Sequence, residues 1–382
     1  MRLASCSATV GCVCVHACTA VSVPLESIPR LSRRHLLAGL PATLGLVALA
    51  RAQGAPERPR LQLALGGKTA LNYLPLTLAE QLGYFKAEGL EVELQDHASG
   101  ALAQQSMVQG QAEVAAGGFE HSIVLRQRGL SCRAFVFLGR APQLVFGVGT
   151  RSLPGFRAIS QLKGRRIGIS APESITHWFA RALLARGGVG AGEVEFVSVG
   201  NTTAAVLALR EGRIDAIANI DPVISLLEFR GELRVLADTR SLRGTQDFYG
   251  GPMPGSCLNA RQDFVLRYPG TVQALTNAVV RSLKWLQTAG PSDIVRAVPE
   301  AYMYGDRAIY LAALDKAREA FSPDGLVSEE GVATAHRVVA RFESGPLAVR
   351  AAAPGATYTN DFVRRARQRY QAGMFTAMTR LG

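Results

Sequence analysis

Five short stretches of the sequence gather side chains able to hold a small polar molecule: Asn72-Tyr73, Gly117-Gly118-Phe119-Glu120, Ser174-Ile175-Thr176-His177, Asn201-Thr202-Thr203 and Asn219-Ile220-Asp221. Each follows a strand-like run. Tyr73 offers a ring face with a polar tip. Gly117 and Gly118 lack side chains and would let a ligand approach the backbone closely. Glu120 suits an amine or hydroxyl donor and opposes an anion. Ser174 to His177 open a helix, and a helix start has unpaired N–H groups and partial positive charge that can hold a sulfonate, nitrate or carboxylate. Asn201, Thr202, Asn219 and Asp221 add amide, hydroxyl and carboxylate groups. Plainer roles stand beside these: Tyr73 and Phe119 as core, Ser174 as a helix cap, Glu120 as a helix-start charge.

Nothing in the pattern points to bond-making chemistry, a metal or a cofactor. Beyond residue 52 the cysteines are Cys132 and Cys257, and there is no CxxC and no HExxH. His97, His121, His177 and His336 are far apart in sequence. Cys132 reads as a strand residue and Cys257 as part of a loop. One disulfide between them stays open. The net charge of +12 comes from scattered arginines rather than a Lys/Arg run interleaved with aromatics, which argues against nucleic-acid binding.

The elements that must position these residues alternate between apolar strands and amphipathic helices, so the fold class is α/β. "LQLALGG" is a strand. The run 74–90 predicts one helix, with Pro75 in its first turn, Gly89 at its end and a stripe of Leu78, Leu82 and Phe85. "AEVAAGG", "CRAFVFLG" and "QLVFGVG" are further strands of a first unit. A second unit starts near Arg151. Its helix 173–188 takes Ser174 as N-cap, and its helix 201–212 takes Asn201 as N-cap with Gly212 as stop. "GQAEVAAGGFE" and "GRIDAIANIDP" form a faint repeat: a helix-ending Gly, an acidic residue three positions on, then a small-residue strand. After Gly244 the pattern turns helical, with Val272, Leu275, Val279, Leu283 and Leu286 on one stripe.

The N-terminal 52 residues read as an export leader. Ser32-Arg33-Arg34 precedes an uncharged run, Leu36–Ala50, of fifteen residues broken by Pro41. A spanning helix needs about 20 apolar residues, so this length suits a signal peptide closed by Ala50-Arg51-Ala52. The twin-arginine start resembles that class of export signal. We expect removal near Ala52-Gln53 and a periplasmic protein. Residues 1–30 do not fit the leader, and we expect translation to start downstream, at a codon read here as Val21, Val23 or Leu31.

"LNYLPLTLAEQLGYFKAEGLEVEL", "GQAEVAAGG", "ISAPESITHWFARALLARGGV" and "REGRIDAIANIDP", in that order, resemble the solute-binding proteins of ABC importers for nitrate, sulfonates, taurine and the pyrimidine precursor of thiamine, the SsuA/THI5-like family. The resemblance covers roughly Leu61 to Gln287. It implies a type II periplasmic binding protein: lobe one from residues 61–149 plus 246–382, lobe two from 150–245, and a two-segment hinge near Gly147–Leu153 and Asp238–Gly250. It implies a cleft at the strand ends and ligand contact at the Ser174 helix start. His177 matches a histidine common there, and Asp221-Pro222 an acidic-Pro pair. The ligand-binding set expected is Asn72, Tyr73, Gly118, Phe119, Glu120, Ser174, Ile175, Thr176, His177, Asn201, Thr202, Asn219 and Asp221. The expected partners are a small organic solute, sulfonate/taurine-like or pyrimidine-like, and an ABC permease with its ATPase, the chain acting as a monomer. The alternatives are an enzyme on the same fold, a pyrimidine-precursor synthase or desulfinase, and a ligand sensor. The eukaryotic synthases carry a cysteine cluster and the desulfinase a cysteine after its first strand, where this chain reads "GGKTALNY".

Overall fold

A computed structural model describes residues 55–342 and 353–378. The expected leader lies outside the described residues. Among the described residues, ten strands build two five-stranded sheets on one plan. In the first sheet, β1 (Arg60–Leu65), β2 (Glu91–Asp96), β3 (Val114–Gly118), β4 (Cys132–Phe137) and β10 (Ser256–Arg261) lie in the order β2-β1-β3-β10-β4. In the second, β5 (Val145–Gly149), β6 (Arg166–Ile169), β7 (Glu195–Ser198), β8 (Ala216–Asn219) and β9 (Leu233–Asp238) lie in the order β7-β6-β8-β5-β9. The first three strands of each order run parallel, and the fourth is antiparallel to both its neighbours.

Sequence explains the central strands. A parallel sheet covered by helices on both faces buries every residue, which favours short runs of small and apolar side chains. β3 (VAAGG) and β8 (AIAN) are such runs, wholly buried, and both hold the third place in their sheets. The faint internal repeat therefore marks equivalent positions in two sheets.

Some expectations about elements change. "QLVFGVG" was expected in the first unit, yet β5 pairs with β8 and β9 of the second sheet. The first crossing is thus residues 138–144, before β5, and the second runs from Thr239 to Gly255. The crossings bind each other: Thr239 N–H donates to Leu144 O at 2.8 Å, and Gly255 N–H donates to Gly139 O at 3.0 Å. The helix expected over 74–90 is two helices, Leu74–Gln81 and Tyr84–Ala87, parted by Gly83 at φ 71°. That left-handed conformation is natural to glycine and breaks a helix.

The apolar stripe of the long helix Pro269–Thr288 is buried along its length and packs against the first sheet and its helices. Cys132 and Cys257 are both buried and unbonded to each other. Cys257 sits inside β10 rather than in a loop. No helix among the described residues is long and apolar enough to cross a membrane.

Candidate functional site

The nominated stretches fall at strand ends where the two lobes meet, and the lobes are in direct contact. Asn201 Nδ2 donates to Gly66 O at 2.5 Å. Leu71 N–H donates to Asp221 O at 2.9 Å. Arg128 and Glu173 form a bidentate pair at 3.1 and 3.0 Å across the mouth. A Cβ placed on Gly118 would run into Ile175 of the opposite lobe.

Several nominated side chains are already engaged. Ser174 caps its helix, accepting from His177 N–H at 3.3 Å. Thr176 Oγ1 accepts from Ser170 N–H at 2.9 Å and shares hydrogen bonds with the Ser170 and Ser174 hydroxyls. His177 Nδ1 accepts from Glu173 N–H, and its ring meets Phe196 edge-on at 4.5 Å. It thereby fixes a turn in which Glu173 holds φ 58° and aims its carboxylate at Arg128. Thr202, not Asn201, caps the helix Thr203–Arg210. Asn219 donates to Gly200 O and accepts from Ile220 N–H. Asp221 accepts from Ser225 N–H and from Arg240. Phe119 is a correction: its ring is fully buried in the core, edge-on to Phe137, His336 and Tyr358.

Other side chains keep polar atoms without a protein partner inside the contact region. They are Asn72 Oδ1, Asn201 Oδ1, both amide atoms of Gln104, and His121 Nε2. All four residues are buried. A buried polar atom left unpaired costs about 1–3 kcal/mol, so such a cluster is expensive unless something binds there. Glu120 is buried beside them without a pairing cation among the described residues. Burial pushes its carboxyl up to about 7. Burial also pushes the His121 imidazole down to about 4, the largest influence on it. At neutral pH this wall is therefore a neutral imidazole beside a carboxyl that titrates. Tyr73 lies here too: a Cβ on Gly100 would stand 3.2 Å from Tyr73 Oη and 3.7 Å from His121 Nε2. The small residues Gly100 and Gly117 make this close packing of polar tips feasible.

Gln104, His121, Arg128 and Glu173 are not among the residues the sequence nominates for ligand contact, and Trp178 reads there as a core residue, which its buried cluster matches. His121 and Trp178 come from opposite lobes and stack at 5.1 Å between ring centroids, tilted 49°. A cavity of about 470 Å³ opens on them between the lobes. A larger groove of about 730 Å³ lies past Arg60 and Glu91, at the opposite end of β1 from Gly66. Four of its charges pair with each other, Arg60 with Glu91 and Arg58 with Glu113. The signal for Gln104 was its place one turn after Gly100 in a helix starting beside the β1 turn. The signal for Trp178 was its place one turn into the Ser174 helix.

Arg240 was also missed. It is buried on the second crossing and bonds to Asp238, Asp221 and Glu228. Burial works against its charge, and the three carboxylates more than offset that. The thiols are poor nucleophiles. Burial raises Cys132 to about 11 and raises Cys257 further, so neither is a thiolate at neutral pH.

Two like-ordered α/β sheets, a two-segment crossing and a closed polar seam define a periplasmic-binding-protein fold. The chain belongs to the NMT1/THI5-like family, whose model matches residues 70–291. A solved protein of Bordetella bronchiseptica RB50 is 46% identical, covering 83% of this chain and 100% of its own, with a TM-score of 0.81. The alkanesulfonate-binding protein SsuA of Xanthomonas axonopodis pv. citri, solved with MOPS, is 18% identical over 80% of this chain and 100% of its own, TM-score 0.63. The periplasmic nitrate-binding protein NrtA of Synechocystis PCC 6803 is 15% identical over 82% of this chain and 90% of its own, TM-score 0.65. The last two likenesses are of fold.

Proposed function

We propose that this chain is the solute-binding component of an ABC importer: it is exported, captures one small organic solute between its lobes, and delivers it to a membrane permease. The single observation that carries this reading is the set of buried, unpartnered polar atoms on Asn72, Gln104, His121 and Asn201. Asn72 and Asn201 follow strands β1 and β7, and Gln104 and His121 lie on the helices Gly100–Val108 and Glu120–Gln127 beside them, the region where ligands bind in open α/β sheets. Neighbours of this fold named for alkanesulfonate and nitrate binding support it. In this reading the solute stabilises the closed lobes because only that state contacts it from both sides. The lobes divide within residues 138–144 and again within 239–255. Asn72, Tyr73, Glu120, Ile175 and Asn201 line the seam, whereas Ser174, Thr176, His177, Thr202, Asn219 and Asp221 hold its turns in shape. The buried, cation-free carboxyl of Glu120 favours a neutral, amine-bearing or zwitterionic solute over nitrate or a dianion.

A thermal-shift screen tests this. Taurine, alkyl and aryl sulfonates, nitrate, aromatic carboxylates and pyrimidines are offered to the purified chain. A solute at 100 times its dissociation constant should add about 2.7 kcal/mol of folding stability, and Asn201→Leu should abolish the shift. No shift with any member, from protein shown by native mass spectrometry to carry no solute, overturns the reading.

A further inference from the structure

We propose that Gln104, His121 and Trp178 form a subsite for a neutral planar amide edge, a carboxamide or lactam, on the bound solute. The inference deepens the solute-binding reading and rests on it. Gln104 is 3% exposed, and neither its Nε2 nor its Oε1 has a protein partner. An amide side chain presents a donor and an acceptor side by side in one plane. The group that satisfies both at once is another amide edge, with its acceptor facing Nε2 and its donor facing Oε1. A carboxylate or sulfonate offers acceptors alone and sets oxygen against Oε1. An ammonium offers donors alone and strands Nε2.

The surroundings point the same way. Gln104 lies over Gly117, where a Cβ would stand 2.7 Å from Nε2, so the missing side chain is what admits the amide there. His121 Nε2 is a second unpartnered polar atom in the same wall. Trp178 supplies a flat apolar ring beside it. Arg128 and Glu173 at the mouth pair with each other, so their charges largely cancel for an arriving solute. The cavity of about 470 Å³ that these residues line suits a single-ring molecule.

Titration calorimetry of the full chain with benzamide, nicotinamide, benzoate, benzenesulfonate and taurine tests the subsite. Both amides should bind, and the two aryl anions at least ten-fold more weakly. Gln104→Leu should weaken the amides by about ten- to hundred-fold, the cost of one or two lost hydrogen bonds, while its melting temperature stays level or rises. That rise separates a ligand contact from a structural amide, whose loss would lower melting. Gln104→Glu, which keeps the size and removes the neutral donor, should weaken the amides as well. Anions binding as tightly as the amides, or amide affinity unchanged in Gln104→Leu, overturns the subsite. Taurine bound equally by the native chain and Gln104→Leu, with no amide bound, sinks the subsite and leaves the solute-binding reading standing. No binding of any of the five, with no co-purifying solute, sinks both.

Discussion

Glu120 and His121 are neighbours in sequence, and burial taxes them at opposite ends of the pH scale. The folded Glu120 carboxyl titrates near 7 rather than 4.5, so the unfolded chain releases its proton first as pH rises. Stability is lost between those values, by up to about 3 kcal/mol above pH 7. The His121 imidazole titrates near 4 rather than 6.5, so its loss comes as pH falls through that range. Glu120→Gln should therefore melt like the native chain near pH 4 and at a higher temperature at pH 8. A melting series across pH checks this, and equal melting at pH 8 would show that Glu120 is not held in that environment. The sequence places Asn72, Tyr73, Glu120 and Asn201 after strands, and the structure finds them where the two sheets meet. Phe119 was misread because a strand-end aromatic looks the same in sequence whether it turns into a cleft or into the core. Gln104 has only a weak signal, its place one turn after Gly100, since a glutamine inside a helix normally faces water.

At the scale of elements, turn chemistry was readable and hinge chemistry was not. Ser174 caps its helix as its type predicts, and its hydroxyl also meets Thr176. Ser174→Ala should cost about 1 kcal/mol in chemical denaturation. The expected cap Asn201 yields to Thr202, a somewhat weaker capping type, and Asn201 instead reaches Gly66 in the other lobe. Arg240 gave no sequence signal because its three carboxylates lie on three separate elements. Its replacement by Ala would leave Asp221 buried and unpaired, a cost of about 3–5 kcal/mol. Denaturant unfolding should find Arg240→Ala strongly destabilised and Arg240→Ala/Asp221→Asn partly restored. A neutral result for Arg240→Ala would mean that the crossing does not depend on this network.

For the whole molecule, the two-lobed α/β plan was legible from the order of strand and helix runs, and the small-residue repeat correctly marked the central strand of each sheet. The crossing was placed late because β5 is an apolar strand like its neighbours. Which sheet it joins depends on pairing with β8 and β9, some 70 to 90 residues away. The Arg128–Glu173 pair is partly exposed, so it is worth at most about 1 kcal/mol. Glu173→Gln should weaken solute binding by no more than about five-fold, and added salt should shrink the difference. A larger loss in titration would make Glu173 a direct ligand contact.

The central claim is that one solute is held in the seam between the lobes. Native mass spectrometry of the purified chain tests it most directly, comparing the native chain with Gly118→Val after exposure to the best solute of the thermal-shift screen. A side chain at Gly118 would meet Ile175 and Glu120, and in this account it blocks closure. The account predicts one solute per native chain and none on a folded Gly118→Val. Solute retained by Gly118→Val with undiminished affinity would contradict it and place binding elsewhere on the molecule.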